Sequence, residues 1–272
     1  MKRLVIEPSL QPAQYWREAW AFRQLAYNLA WRDISIRYKQ TVLGLLWAVI
    51  RPLAFMSVLT AVFSLVAKLD GGGVAYPLVV LSGLLCWQFA AAILGTVSSC
   101  ILGNGNLVSK IYFPRVLLPA GTILSTLVDL AISLGIMLVL MLAFGAWPTW
   151  RIVTLPLFIL LALALSGGVG LYLAVFAVRY RDVLHVVPVA VQLSMYLSPV
   201  GYLTSNVPEQ YQRWYALNPL VGVIGGFRWA LLGESFPIDW FAMGVSCATA
   251  VVVMAVGLFT FVRSEHRFAD EL

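Results

Sequence analysis

Six runs of about twenty or more mostly apolar residues recur along this 272-residue chain. Each is long enough to cross, as a helix, a bilayer core of ~30 Å. They fall at 42–67, 76–101, 116–144, 152–178, 183–203 and 240–262. His185, Pro188 and Pro199 interrupt the fifth, which is the weakest. The joints carry backbone breakers: Gly71-Gly72-Gly73, Gly103-Asn104-Gly105-Asn106 and Gly145-Ala146-Trp147-Pro148. With 61% of residues hydrophobic and 11% charged, the chain cannot clothe a water-exposed surface, for which about 25% charged is usual. The expected fold is an all-α integral membrane protein with six transmembrane helices.

Basic residues set its orientation. With both termini in the cytoplasm, thirteen Lys and Arg lie inside and four outside, leaving Arg51 within a span. That asymmetry satisfies the positive-inside rule. The net charge of +6 then belongs to the anionic cytoplasmic leaflet and needs no nucleic acid. Cys86, Cys100 and Cys247 sit in apolar runs without disulfide or metal spacing, and read as small packing residues. The charged, polar first forty residues lack the short apolar core of a secretion signal.

Residues 1–41 form an expected cytoplasmic N-terminal region, 42–262 the membrane domain and 263–272 a cytoplasmic tail. From 13 to 40 there is no Gly or Pro. At 100° per residue, Arg17, Gln24, Asn28, Arg32, Ser35 and Lys39 form a polar stripe. Trp16, Trp20, Tyr27, Trp31, Ile34 and Tyr38 lie beside it. One amphipathic interface helix is expected, lying among lipid headgroups, with Arg37 near its end. An ordinary helix packed on a partner is the alternative.

Between the fifth and sixth spans, Asn206-Val207-Pro208-Glu209 and Asn218-Pro219 each read as a helix start. The apolar stretch 220–232 is too short to span and carries Gly222, Gly225, Gly226 and Arg228. A re-entrant or interfacial helix pair on the outer face is expected there, lining or lidding a pathway.

Ionisable groups inside the spans are the sharper clue. Arg51 and Asp129 lie within apolar runs, where a charge costs about 2.5–3.5 kcal/mol on insertion scales. Each should face the bundle interior, water or a partner. A mutual ion pair or a snorkelling Arg51 is an equal alternative to a functional role. Trp87, Phe89, Tyr196, Tyr202, Tyr211, Trp214, Tyr215, Phe227 and Trp229 concentrate toward the outer half, apart from the mid-span Trp87 and Phe89. They suit either an interfacial belt or a lining that stacks on sugar faces. On the inside, 104–115 reads as a short helix with exposed apolar residues ending at Pro114. It is a docking knob for a soluble partner or a plain connection.

Catalytic constellations are missing from the sequence. His185 and His266 lack metal-ligand spacing, and no Gly-x-x-x-x-Gly-Lys-Ser/Thr phosphate loop occurs. Leu165-Ser166-Gly167-Gly168 matches the start of an ATPase signature by chance; inside the fourth span, its small residues serve helix packing.

Arg37-Tyr38-Lys39-Gln40, with Leu43-Gly44, Leu46-Trp47 and Pro52, resembles the approach to the first span in ABC-type polysaccharide-export permeases, the Wzm-type and teichoic-acid-export membrane subunits. Asn106-Leu107-Val108-Ser109-Lys110 with Phe113-Pro114-Arg115 is similar to that family's cytoplasmic coupling element. Tyr180-Arg181-Asp182 resembles its second inside loop. Ser198-Pro199-Val200 and Leu217-Asn218-Pro219-Leu220, leading to Gly226-Phe227-Arg228, resemble its outer gate. The resemblance implies a homodimer, two separate ATPase subunits that bind ATP and Mg, and export of a lipid-linked polysaccharide across a bacterial inner membrane. It implies that Asn106, Leu107, Lys110, Tyr112, Phe113, Arg115, Arg181 and Asp182 receive the ATPase's motion. No cofactor is expected in this chain, and Arg51 has no place in the family pattern. The rivals are an ABC-type exporter of drugs or small lipids and a membrane enzyme or scaffold of glycan assembly. For the last, the sequence supplies no acidic or His site.

Overall fold

A computed structural model describes residues 12–39 and 46–268. Lys2, Arg3, Gln40, Leu43, Gly44 and the expected start of the first span at Val42 lie outside the described residues.

All regular structure in the described residues is helical. Two helices, α1 (Pro12–Ala21) and α2 (Arg23–Lys39), precede α3 (Leu46–Thr60), which runs on as a π-helical turn, Ala61–Val66. Then come α4 (Tyr76–Ser99), the short α5 (Gly105–Lys110), α6 (Leu117–Ala143) and α7 (Leu155–Arg179). The chain finishes with α8 (Val183–Tyr196), α9 (Glu209–Tyr215), α10 (Pro219–Leu232) and α11 (Trp240–Ser264). Helices α3, α6 and α8 start at the end that carries α1, α5 and the last turn of α11; α4, α7 and α11 return to it. This is called the terminal end below.

Among the described residues, five helical segments are long and apolar enough to cross a membrane, or six if the bent pair α9–α10 counts as one. The expected fifth span keeps its place, but its helix is shorter than the expected 183–203. Helix α8 has 14 residues, or ~21 Å at 1.5 Å per residue. It stops because the residue before a proline avoids helical backbone, and Ser198 precedes Pro199. The expected helix pair beyond it is present, bent by 100° between α9 and α10.

The expected single helix over 13–40 is also corrected. A tight turn at Phe22, closed by Leu25 N–H donating to the Phe22 carbonyl at 2.8 Å, divides it. The two halves serve different surfaces: Tyr15 and Ala19 are buried on α1, and Ala26, Leu29 and Ala30 on α2. Ala26 and Leu29 meet α6 at Gly121, so α2 is seated on a span.

Helix α4 is the core of the bundle, packed against α3, α6, α7, α8 and α10. Without a hydrophobic drive between helices in lipid, close approach of small residues holds such packing together. The α7–α11 crossing shows this: a Cβ on Gly257 would stand 2.1 Å from the Gly168 carbonyl oxygen, and one on Gly168 2.6 Å from the Met254 backbone. Gly168 thus packs a helix crossing, as its place in the apolar run requires. Cys86 and Cys100 are buried as expected, whereas Cys247 is exposed. Exposed apolar faces remain on α3 and its π-helical continuation (Val58, Val62, Leu65) and on α8 (Val186, Val189, Leu193).

Candidate functional site

Three places collect the polar chemistry of the chain. The first is the face at the terminal end. Helix α5 sits at its rim, where Asn106, Ser109, Lys110, Ile111 and Tyr112 are exposed. A cleft of about 550 Å³ beside it is lined by Arg32, Asn104, Asn106, Leu107, Ser109 and Arg181, among others. Arg32 ties α2 to this segment: its guanidinium donates to Asp33 at 2.8 Å and to the Asn104 side chain at 2.9 Å. The structure therefore brings Asn106, Leu107 and Arg181, far apart in sequence, to one surface. Lys110 and Asp182 are exposed near it in sequence.

Phe113 and Arg115 behave differently from the sequence expectation. Phe113 is 1% exposed and Arg115 8%, so neither presents a docking surface. They form the base that carries the exposed segment. The Arg115 guanidinium lies 3.7 Å from the Glu265 carboxylate, which also accepts from the Arg115 backbone N–H at 2.9 Å and from the Tyr15 hydroxyl at 2.6 Å. Burial first, and then the Glu265 charge, push the Tyr15 phenol up from its ordinary value. Phe268 packs on Phe261 at 5.4 Å. Helix α1, the start of α6 and the end of α11 thus meet at one carboxylate. Glu265→Ala would leave Arg115 buried without its counter-charge, at a cost of about 3 kcal/mol or more. The expected result is a clearly lower melting temperature in detergent; an unchanged melt would show that the cluster is not structural. The sequence reading missed Tyr15 and Glu265, because nothing local links residues 250 apart.

The second place lies at mid-bundle. Asp129, near the middle of α6, accepts from the Arg37 guanidinium and the Tyr38 hydroxyl. The possible Arg51–Asp129 pair is thereby corrected: the end of α2 reaches Asp129, and Arg51 stands over the Trp47 ring at 5.9 Å. Arg51 lies in the second turn of the described part of α3. A cavity of about 650 Å³ opens here, walled by α2, α3, α4 and α6. Phe89 is in its wall but is mostly buried in the core. Trp87 is turned to α8, donating to Ser194 at 3.1 Å. Trp20, Tyr27 and Trp31 on α1 and α2 stand exposed, with Arg23 over Trp20 at 5.4 Å and Lys39 over Trp31 at 5.7 Å.

The third place is the irregular segment 197–203 at the opposite end. Carbonyls outside a helix cannot be left bare at membrane depth. Arg228, buried on α10, supplies the donors: to Pro199 at 2.6 Å, to Val200 at 3.0 Å and to Tyr202 at 3.0 Å. The Tyr76 hydroxyl donates to the Gly201 carbonyl at 2.7 Å. The approach is close enough that a Cβ on Gly83 would stand 2.6 Å from the Val200 carbonyl oxygen. Asn218 caps α10 by accepting from Leu220 N–H at 3.0 Å, while its amide donates to the Leu197 carbonyl at 2.9 Å. Tyr202 and Tyr215 join hydroxyls at 2.8 Å. Of the other aromatics expected here, Tyr196, Tyr211 and Trp214 are exposed, whereas Phe227 is fully buried in the core and lines no open space. Trp229 packs edge-on to Phe158 and carries Arg151 on its face at 5.4 Å. Arg151 also pairs with Glu234.

A bundle of lipid-length helices, with an exposed face at one end and a pinned, bent segment at the other, defines a multi-pass membrane protein of transporter build. The chain belongs to the ABC-2 type transporter family, whose model matches residues 24–232. It is 29% identical over 258 residues, 94% of this chain and 98% of the relative, to the O-antigen export system permease protein RfbA of Myxococcus xanthus. It is 24% identical to the protein of that name in Klebsiella pneumoniae, over 89% of this chain and 92% of the relative. The polysialic acid transport protein KpsM of Escherichia coli is 25% identical over 78% of this chain and 84% of its own length.

Proposed function

We propose that the chain is the membrane-spanning permease subunit of a transporter that exports a lipid-linked polysaccharide, such as an O-antigen, a capsule or a teichoic-acid-like polymer. The observation that carries this is the near full-length likeness to O-antigen export permeases. The polysialic acid transporter widens it to glycans of other chemistry. Two copies of the chain work with two ATPase subunits, which bind ATP and Mg and hydrolyse the nucleotide. The assembly sits in the bacterial inner membrane with both termini in the cytoplasm, as the distribution of basic residues favours. The ATPase docks at the terminal end, on α5, Ile111, Tyr112 and the cleft with Arg32 and Arg181. At the far end, the segment pinned by Arg228 gates the mouth.

Depleting the chain in its host tests the reading. Surface polysaccharide should fall and lipid-linked polysaccharide should accumulate on the cytoplasmic side, with both restored by the wild-type chain. Normal surface glycan together with lost efflux of small amphiphiles would overturn it in favour of a drug or small-lipid exporter.

A further inference from the structure

Hydrogen bonds hold segment 197–203 on three sides. Arg228 on α10 takes the carbonyls of Pro199, Val200 and Tyr202. Tyr76 on α4 takes that of Gly201, and the Tyr215 hydroxyl on α9 meets that of Tyr202. A fourth side is held differently. There Phe63, from the π-helical end of the first span, lies on Gly201 and sets its ring against that of Tyr202, centroids 5.9 Å apart. A Cβ on Gly201 would stand 2.6 Å from the Phe63 Cδ2, and the nearest atoms it would meet all belong to that ring. Gly201 is not among the glycines of positive φ, so its backbone admits a side chain, and the Phe63 ring accounts for the missing one. The helix that carries Phe63 is the least buried of the five spans, and its end departs from α-helical bonding. Ala67 N–H donates to the Val62 carbonyl, five residues back, at 3.0 Å. Lys68 then takes a left-handed backbone, φ 52°, which a side chain disfavours. Thr60, where the wide turn begins, has a buried hydroxyl without a hydrogen-bond partner among the described residues. Wide turns of this kind are rare and gather at functional sites, and backbone strain collects at clamps and switches.

From this we infer that Phe63 is a latch: a ring from the first span that holds the outer segment shut at rest and leaves it when the polymer passes. The hydrogen-bonded sides keep the segment in shape, because parting them would strand buried polar groups. The Phe63 side parts without breaking a hydrogen bond, and it belongs to the helix with the fewest ties to the bundle. Phe63 is thus a positioning residue of the gate, acting through Gly201 and Tyr202. The inference rests on reading 197–203 as that gate.

The chain with its ATPase, reconstituted without ATP in liposomes loaded with a small impermeant dye, tests the proposal. Wild type should retain the dye. Phe63→Ala should leak it severalfold faster at an unchanged melting temperature, since the ring is half-buried and lies outside the main core. Gly201→Ala should leak as well, its methyl pushing the ring aside. Adding Phe63→Val to Gly201→Ala should restore the seal, because the methyl takes the space that the ring gives up. Two unrelated structural defects would add, not cancel. Dye retention at the wild-type rate by a folded Phe63→Ala chain would overturn the latch, as would a Gly201→Ala leak that Phe63→Val leaves unchanged. Each arm decides alone where the other variant fails to fold. Loss of surface glycan on depletion, with no leak in any variant, would fail this inference and leave the export reading standing. A leak repaired by the pair, with normal surface glycan on depletion, would do the reverse.

Discussion

Replacing Arg228 by Met should collapse the far end of the bundle. Three carbonyls, those of Pro199, Val200 and Tyr202, lose their donors at once. Each buried polar group left unpaired costs about 1–3 kcal/mol, so the set can consume most of a typical stability of ~5–15 kcal/mol. Met fills much of the space but offers no N–H, so the loss is one of hydrogen bonding more than of packing. Arg228→Lys should fall between, because an ammonium cannot reproduce the planar fork that reaches three acceptors. The expected order of melting temperatures is wild type, then Lys, then Met, with export lost in the Met chain. A Met variant that melts and exports like wild type would remove Arg228 as the pin of the segment.

Arg228 also shows where sequence reading reaches its limit. An arginine in an apolar stretch too short to span signals a special place, but its acceptors lie 26–29 residues away on irregular backbone. The spans themselves were legible, because length and apolarity are local properties and lipid imposes both. The bend between α9 and α10 was legible because Asn218-Pro219 is a local helix start. The helix of the fifth span was drawn too long: its apolar run continues to Leu203, but α8 ends at Tyr196, ahead of Pro199. Asp129 was legible as a charge within a span that needs a partner. That the partner is Arg37 was not, since only packing of α2 along α6 brings residues 92 apart together. Phe113 and Arg115 were misplaced on the docking surface for a related reason. A short loop leaves open which of its residues turn inward, and a carboxylate at the chain's far end decides it.

The same division sharpens the second large effect, at the terminal end. Removing the whole of 107–112 would damage the fold, because Val108 is 2% exposed and packs in the core. Ile111 and Tyr112 are 56% and 41% exposed, apolar, and carried on a base fixed by Phe113 and the Arg115–Glu265 contact. An isoleucine and a tyrosine held out on a rigid base have the character of interface anchors. Truncating such an anchor typically costs 2 kcal/mol or more of binding, about thirtyfold in affinity. Ile111→Asp combined with Tyr112→Asp should therefore abolish co-purification of the ATPase and, with it, export. Membrane insertion and melting temperature should stay at wild-type values, since neither side chain holds the bundle together. Glu265→Ala supplies the contrast, lowering the melt before it touches coupling. Should the double Asp chain still hold its ATPase and export normally, the motor must engage elsewhere, and the cleft of Arg32 and Arg181 becomes the surface to alter next.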